Sequence, residues 1–330
     1  MSNDKAKLSR AQKWSSNSLV ESLKENSGVL IGFLIICVIL SVSSEVFLTQ
    51  RNVFNVLRQL ANNLFLSCGM FMVILLGGID LSVGSNMAVS GVLCAGFISY
   101  NLLPAPVAIV LALLCGLIIG LINATIISFT NIPPFIVTLA TMNIGRGFAR
   151  LYTSSKTIPV NNDLFGGIGT GNIFGVVPMQ AIYIIIILIM TGLILGSSKL
   201  GRHIYATGDN RTAAMFSGIN TTKVTFFVFM YSALMSSFAG IVLASRMFAG
   251  TATAGEGAEM DAIAAVVLGG TSMSGGVGKL SGVVIGVFLI AVLNNGMNLL
   301  NIDSSWQFIV KGIVILIAVY IDYLKKTRDK

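Results

Sequence analysis

The sequence predicts an all-α integral membrane protein, a polytopic helical bundle of about ten transmembrane segments with short or broken helices. Three observations predict it. Of 330 residues, 55% are hydrophobic and only 10% are charged, whereas soluble chains carry roughly 25% charged residues. The mean hydropathy is +0.87, and a soluble domain of this length would need far more polar surface than the chain supplies. Apolar stretches of spanning length recur along the chain, and the basic residues fall on alternate segments between them.

The stretches are Val29–Val46, Ala61–Gly77, Gly84–Tyr100, Pro106–Phe129, Phe135–Leu151, Ala181–Gly196, Val224–Phe248, Ala258–Gly270, Val277–Leu299 and Trp306–Tyr323. The fifth is interrupted by polar residues and two arginines, and the eighth is short and ends in glycine. The 35 glycines suit close packing of membrane helices through small residues.

Alternating the spans from a cytoplasmic N-terminus sorts the charges. One side collects Lys5, Lys7, Arg10, Lys13 and Lys24, then Lys199, Arg202, Arg211, Lys223, Lys279 and the C-terminal Lys325, Lys326, Arg328 and Lys330. The other holds Arg51, Arg58 and Lys156, while Arg146, Arg150, Arg246 and Lys311 lie in or at the edge of spans. The positive-inside rule therefore predicts a multi-pass membrane protein with both termini cytoplasmic. The expected organisation is a cytoplasmic segment over 1–28, a transmembrane domain over 29–323 with a basic cytoplasmic loop at 197–223, and a tail over 324–330. Leu8–Asn26 reads equally as an interfacial helix or a solvated tail. The external segment Thr153–Gln180, rich in Gly and Asn, reads as a loosely packed cap.

Several functional classes are excluded. A net charge of +8 is spent on short interspan segments, so no nucleic acid partner is expected. The four cysteines sit in apolar stretches without metal-ligand spacing, and the single His203 makes no metal pair. No cleavage pattern precedes the first apolar run. Gly275–Lys279 resembles a phosphate loop but has Met273 where the first glycine belongs and Leu280 where Ser or Thr would meet magnesium. No cofactor, metal or catalytic residue is expected, and any ATPase must be a separate polypeptide.

Four features carry function. The first is Leu76–Asn86, where Gly77 and Gly78 precede Asp80, Ser82 and Asn86 between two apolar spans. A carboxylate inside a membrane normally faces a cavity or a partner, so these residues line a polar pathway or gate. The alternative is a tight turn at the cytoplasmic edge, with Asp80 in water or capping the next helix. The second is an echo of that segment at Leu268–Gly276, which suggests an internal repeat of broken helices. The third is a set of amides, Asn123, Asn143, Asn294, Asn295 and Asn298, within or at the ends of spans. These residues suit sugar hydroxyls or interhelical hydrogen bonds. The fourth is a short helix over Asn210–Gly218, with Asn210 as N-cap and Gly218 as stop. It bears Ala213, Ala214, Met215 and Phe216 and follows Gly208. An apolar face outside the bilayer calls for a partner surface or packs back on its own bundle, and the alanine pair leaves room for close approach.

With these pieces together the sequence resembles the permease subunits of monosaccharide-type ABC importers serving ribose, galactose, arabinose and related sugars. The matching pieces are Gly77–Ser85, Phe135–Gly147, Gly201–Ile219, Asp261–Gly276 and the run Asn294–Asp322. The resemblance implies a paired permease in a bacterial inner membrane, a cytoplasmic ABC ATPase subunit, and a periplasmic or extracellular sugar-binding protein. It implies that Asn210–Gly218 couples to the ATPase, and that sugar selectivity resides largely in the binding protein, with a ribose-type pentose first among pentoses and hexoses. The sequence departs at Asp209 and Arg211, where relatives commonly carry Gly and Glu. It departs again at Ala258–Met260, where Tyr-Glu-Leu is usual. The rival readings are a secondary transporter, disfavoured because most acidic residues lie at span ends, and an intramembrane enzyme, disfavoured by the lack of a catalytic cluster.

Overall fold

A computed structural model describes residues 27–328; the interfacial reading of Leu8–Asn26 lies outside them. Ten helices match the ten apolar stretches: α1 (Ser27–Ser43), α2 (Gln50–Leu75), α3 (Val83–Ser99), α4 (Ala105–Phe129), α5 (Pro134–Thr153), α7 (Gln180–Ser197), α10 (Thr221–Met247), α11 (Ala258–Leu268), α12 (Leu280–Leu299) and α13 (Ser304–Arg328). Between them stand α6 (Asp163–Thr170), α8 (Lys199–Asp209) and α9 (Arg211–Phe216). By length and composition, α4, α7, α10 and α12 are each able to cross a membrane. The exposed isoleucines Ile185, Ile186 and Ile189 on α7 present an apolar face suited to lipid.

At the centre are α2 and α10. The second half of α2, from Leu60 to Leu75, is almost wholly buried, and α10 packs against α2, α3 and α4. Small residues permit this closeness. A Cβ on Gly240 of α10 would meet the Met87 carbonyl oxygen at 2.1 Å, so only glycine lets α3 lie this near. Helix α2 begins at Gln50, well before the apolar run at Ala61 that marked it in the sequence, because Thr49 caps it by accepting a hydrogen bond from Asn52 N.

Two helices start in the interior of the bundle. α11 has 11 residues, about 16 Å at 1.5 Å per residue, against a hydrocarbon core of roughly 30 Å. α3 has 17 residues and starts in the interior. Asp80, just before α3, bonds Ser232, which lies about 16 Å along α10 from its start. The chain thus leaves the end of α2, turns at Gly77 (φ 80°) and climbs back before α3 begins. Of the two readings of this segment, a pathway or gate and a turn at the cytoplasmic edge, its interior position does not fit the second, with Asp80 2% exposed. From the opposite end, the segment between α10 and α11 descends along α3. Its strand β4 (Ala249–Gly250) lies beside Ala95 and Val92, and Gly255 lies against Gly84. α3 and α11 therefore start together, and the Glu259 carboxylate sits against Gly84.

The two Gly-rich echoes also meet. Gly276 N donates to Leu75 O at 2.9 Å, and Gly77 lies against Ser274.

The segment expected to be external, Thr153–Gln180, is better packed than its composition suggests. Strand β1 (Ile158–Pro159) pairs with β4, and β2 (Asn172–Ile173) pairs with β3 (Val177–Pro178). Phe165 of α6 is fully buried, and Gly169 N donates to Ser245 Oγ at 2.7 Å. The glycines that signalled looseness let α6 lie directly on α10, where a Cβ on Gly169 would meet Arg246 N at 2.3 Å.

Candidate functional site

Two polar constructions flank the junction of α3 and α11. The first is enclosed. Asp80 accepts from Ser82 N at 3.0 Å, Ser82 Oγ at 2.6 Å and Ser232 Oγ at 2.8 Å. Asn123 of α4 donates to Ser82 Oγ at 2.9 Å, and Thr138 of α5 donates to Ile79 O at 3.0 Å. One turn on, Asn86 donates to Ser236 Oγ at 2.8 Å and to Ala233 O at 3.1 Å. None of Asp80, Ser82, Asn86 or Asn123 exceeds 2% exposure. A buried carboxylate is tolerable where donors converge on it. This network fixes the irregular backbone between α2 and α3 to α4, α5 and α10.

The second construction is open. A cavity of about 270 Å³ runs from Asn298 and Gln307, beside the α12–α13 turn, to Met87, Gly255 and Ala258 at the junction. Six carboxamides line it: Gln59, Asn62 and Asn63 of α2, Asn294 and Asn298 of α12, and Gln307 of α13. Arg246 and Lys311 supply the charges. Lys311 Nζ lies 2.9 and 3.0 Å from the two Asp261 carboxylate oxygens, and Asn294 donates to Asp261 at 2.9 Å. This pair is largely withdrawn from solvent, at 16% and 9% side-chain exposure. It joins α11, α12 and α13 at one point. Asp261 in the first turn of α11 also meets the positive end of that helix. The segment before α11 is held from the other side, where Arg146 donates to Ala252 O at 2.8 Å and Ala254 O at 2.7 Å.

A family model described as the permease component of the branched-chain amino acid transport system matches residues 52–319, which contain both constructions. The chain belongs to this permease family. It is similar to the ribose import permease protein RbsC of Bacillus subtilis (strain 168), 43% identical over 92% of this chain and 95% of the relative. RbsC of Escherichia coli (strain K12) is 41% identical, with 90% and 93% covered. The xylose transport system permease protein XylH of the same strain is 36% identical, with 86% and 87% covered. No solved structure matches the chain.

The permease separates the seven polar residues that the sequence groups. Asp80, Ser82, Asn86 and Asn123 share the enclosed network, and none lines the cavity. Asn294 and Asn298 line the cavity, where Asn298 Oδ1 accepts from Gln307. Asn295 turns away and forms a reciprocal amide pair with Asn52, at 2.9 and 3.0 Å. One residue is a rotation of about 100° on a helix, so neighbours in sequence face different surroundings. Asn62, Arg246, Asp261 and Lys311 were given no site role by the sequence reading. The signal for Asp261 and Lys311 was a charge of each sign inside apolar stretches, 50 residues apart.

At the other end of the permease, Asn210 caps α9 by accepting from Ala213 N at 2.9 Å, and Gly218 takes φ 82° beyond its end. Met215 and Phe216 are 58% and 89% exposed. Ala213 is exposed, but Ala214 is buried at 4% against the permease itself, so the alanine pair does not form one open face. Gly208 ends α8 against the bundle, where a Cβ would meet Leu75 O at 1.7 Å. Of the coupling residues the sequence names, Ala213, Met215 and Phe216 are outward, whereas Gly208 and Ala214 position α8 and α9.

Proposed function

We propose that this permease carries a monosaccharide, first a ribose-type pentose, across the bacterial inner membrane in an ATP-driven importer. The observation that carries the reading is the likeness to ribose import permeases over nine-tenths of both chains. The cavity supports it, since carboxamides both donate and accept, as sugar hydroxyls do. Hydrolysis belongs to a separate ABC ATPase bound at the cytoplasmic α8–α9 end, and a periplasmic or extracellular sugar-binding protein delivers cargo at the α12–α13 end. A second permease copy completes the membrane unit. In this reading the enclosed Asp80 network is the fixed support of the gate.

The test is uptake of labelled ribose by proteoliposomes containing the permease, its ATPase and its binding protein. Uptake is expected only with ATP and binding protein together. Uptake that follows an ion gradient without ATP would overturn the reading in favour of a secondary transporter. The ATPase contact has its own variant. Phe216→Glu puts a charge on an outward side chain and should leave the yield of folded permease unchanged. It should reduce ATPase co-purification and sugar uptake at least tenfold, because an unpaired charge is costly at an interface. Retained ATPase and normal uptake would remove α9 from that interface.

A further inference from the structure

We infer that the cavity between α2, α12 and α13 is a binding site for one uncharged polyhydroxylated molecule of monosaccharide size, so that the membrane subunit itself selects cargo. The inference rests on the monosaccharide reading above and adds a site to it. Its first ground is unmet hydrogen bonding. Asn62 and Asn294 line the cavity, and the side-chain carbonyl oxygen of each is buried without a hydrogen-bond partner. Asn62 is only 8% exposed. Buried acceptors of this kind are rare and call for a donor. A turn about the terminal side-chain torsion, which is broad for asparagine, offers the Asn62 carbonyl to the cavity, while Asn294 keeps its amide on Asp261.

The second ground is charge. Carboxylate and fully ionised phosphate groups bring no donor of their own to these carbonyls. Ammonium groups bring donors but meet Arg246 and Lys311 on the same lining. Lys311 is neutralised by Asp261, which leaves its nearby polar surface suited to a neutral ligand. Hydroxyl groups both donate, as the Asn62 carbonyl requires, and accept, as Arg246 requires. The third ground is size and position. About 270 Å³ is near the lower limit of roughly 300 Å³ for small-molecule sites. The cavity floor lies where α3 and α11 begin, as in transporters whose sites lie at broken helices.

The test uses the full-length permease in lipid nanodiscs, without ATPase or binding protein, carrying a single reactive cysteine at position 298 in a background with the four native cysteines replaced. D-ribose is expected to slow thiol labelling of that cysteine in a saturable way. Asn62→Leu and Asn294→Leu should each raise the half-protecting concentration at least tenfold. Because the Asn62 carbonyl has no partner to lose, Asn62→Leu should keep the thermal stability of the parent, which separates binding from folding. If Asn294→Leu fails to fold, Asn62→Leu decides alone. Protection by ribose 5-phosphate in preference to ribose would overturn the uncharged class. Absence of protection by either, with the complete importer still taking up ribose, would overturn the site and leave the import reading standing. Failure of the complete importer to take up any sugar is the separate result that strikes that reading.

Discussion

Replacing Lys311 by methionine is expected to cost the folded permease about 3–5 kcal/mol, because it leaves a buried carboxylate without its cation. Asp261 would retain only the hydrogen bond from Asn294, and the contact that ties α13 to α11 and α12 would be lost. The expected observation is a sharp fall in folded yield and in melting temperature in detergent. The double variant Asp261→Asn with Lys311→Met removes both charges and should recover most of that loss, since exchanging a buried pair for neutral groups is often tolerated. The order matters more than the size: the single variant should be worse than the double. A single variant as stable as the parent would mean that the pair is solvated or separated in the membrane.

The second large effect is expected at Asp80. Asp80→Leu removes the acceptor for three hydrogen bonds, from Ser82 N, Ser82 Oγ and Ser232 Oγ. Each buried donor left unsatisfied costs about 1–3 kcal/mol, and the loss falls on the irregular backbone that has no helical hydrogen bonds of its own. The permease should fail to accumulate or should melt far below the parent. Asp80→Asn keeps the shape and one acceptor oxygen, and the Ser232 hydroxyl can turn to accept from the new amide. It should fold, with a smaller loss. Comparing membrane yield and melting of the two variants checks this. Normal stability and uptake in Asp80→Leu would make the network dispensable.

The helices were legible because hydropathy and length decide where a chain crosses lipid, and the ten apolar stretches reappear as ten helices. Depth was not legible. Gly77 and Gly78 are compatible with a gate or with a turn at a membrane edge, and the chain after them returns to the interior, because Asp80 finds its donors on Ser82 and Ser232 rather than in water. Ser232, the partner that places Asp80 in the interior, is 152 residues away, a distance no local pattern reports. The same limit hid the Asp261–Lys311 pair. Of the adjacent asparagines, Asn294 was grouped with Asn295 on sequence proximity, whereas helical rotation gives one to the cavity and the other to Asn52. The packing of Thr153–Gln180 was misjudged for a different reason. Its glycines read as slack, but they serve close contact between α6 and α10.

The central claim is that a polar route enters the permease beside the α12–α13 turn and ends where α3 and α11 begin, above a sealed network at Asp80. Thiol accessibility in membrane vesicles tests it most directly, with single cysteines at positions 298, 258 and 236 in a background without native cysteines. A water-soluble, membrane-impermeant maleimide applied on the α12–α13 side should label Asn298→Cys rapidly and Ala258→Cys more slowly. Ser236→Cys, within the enclosed network, should stay unlabelled from either side. Rapid labelling at position 236, or labelling at position 258 only from the α8–α9 side, would contradict the claim.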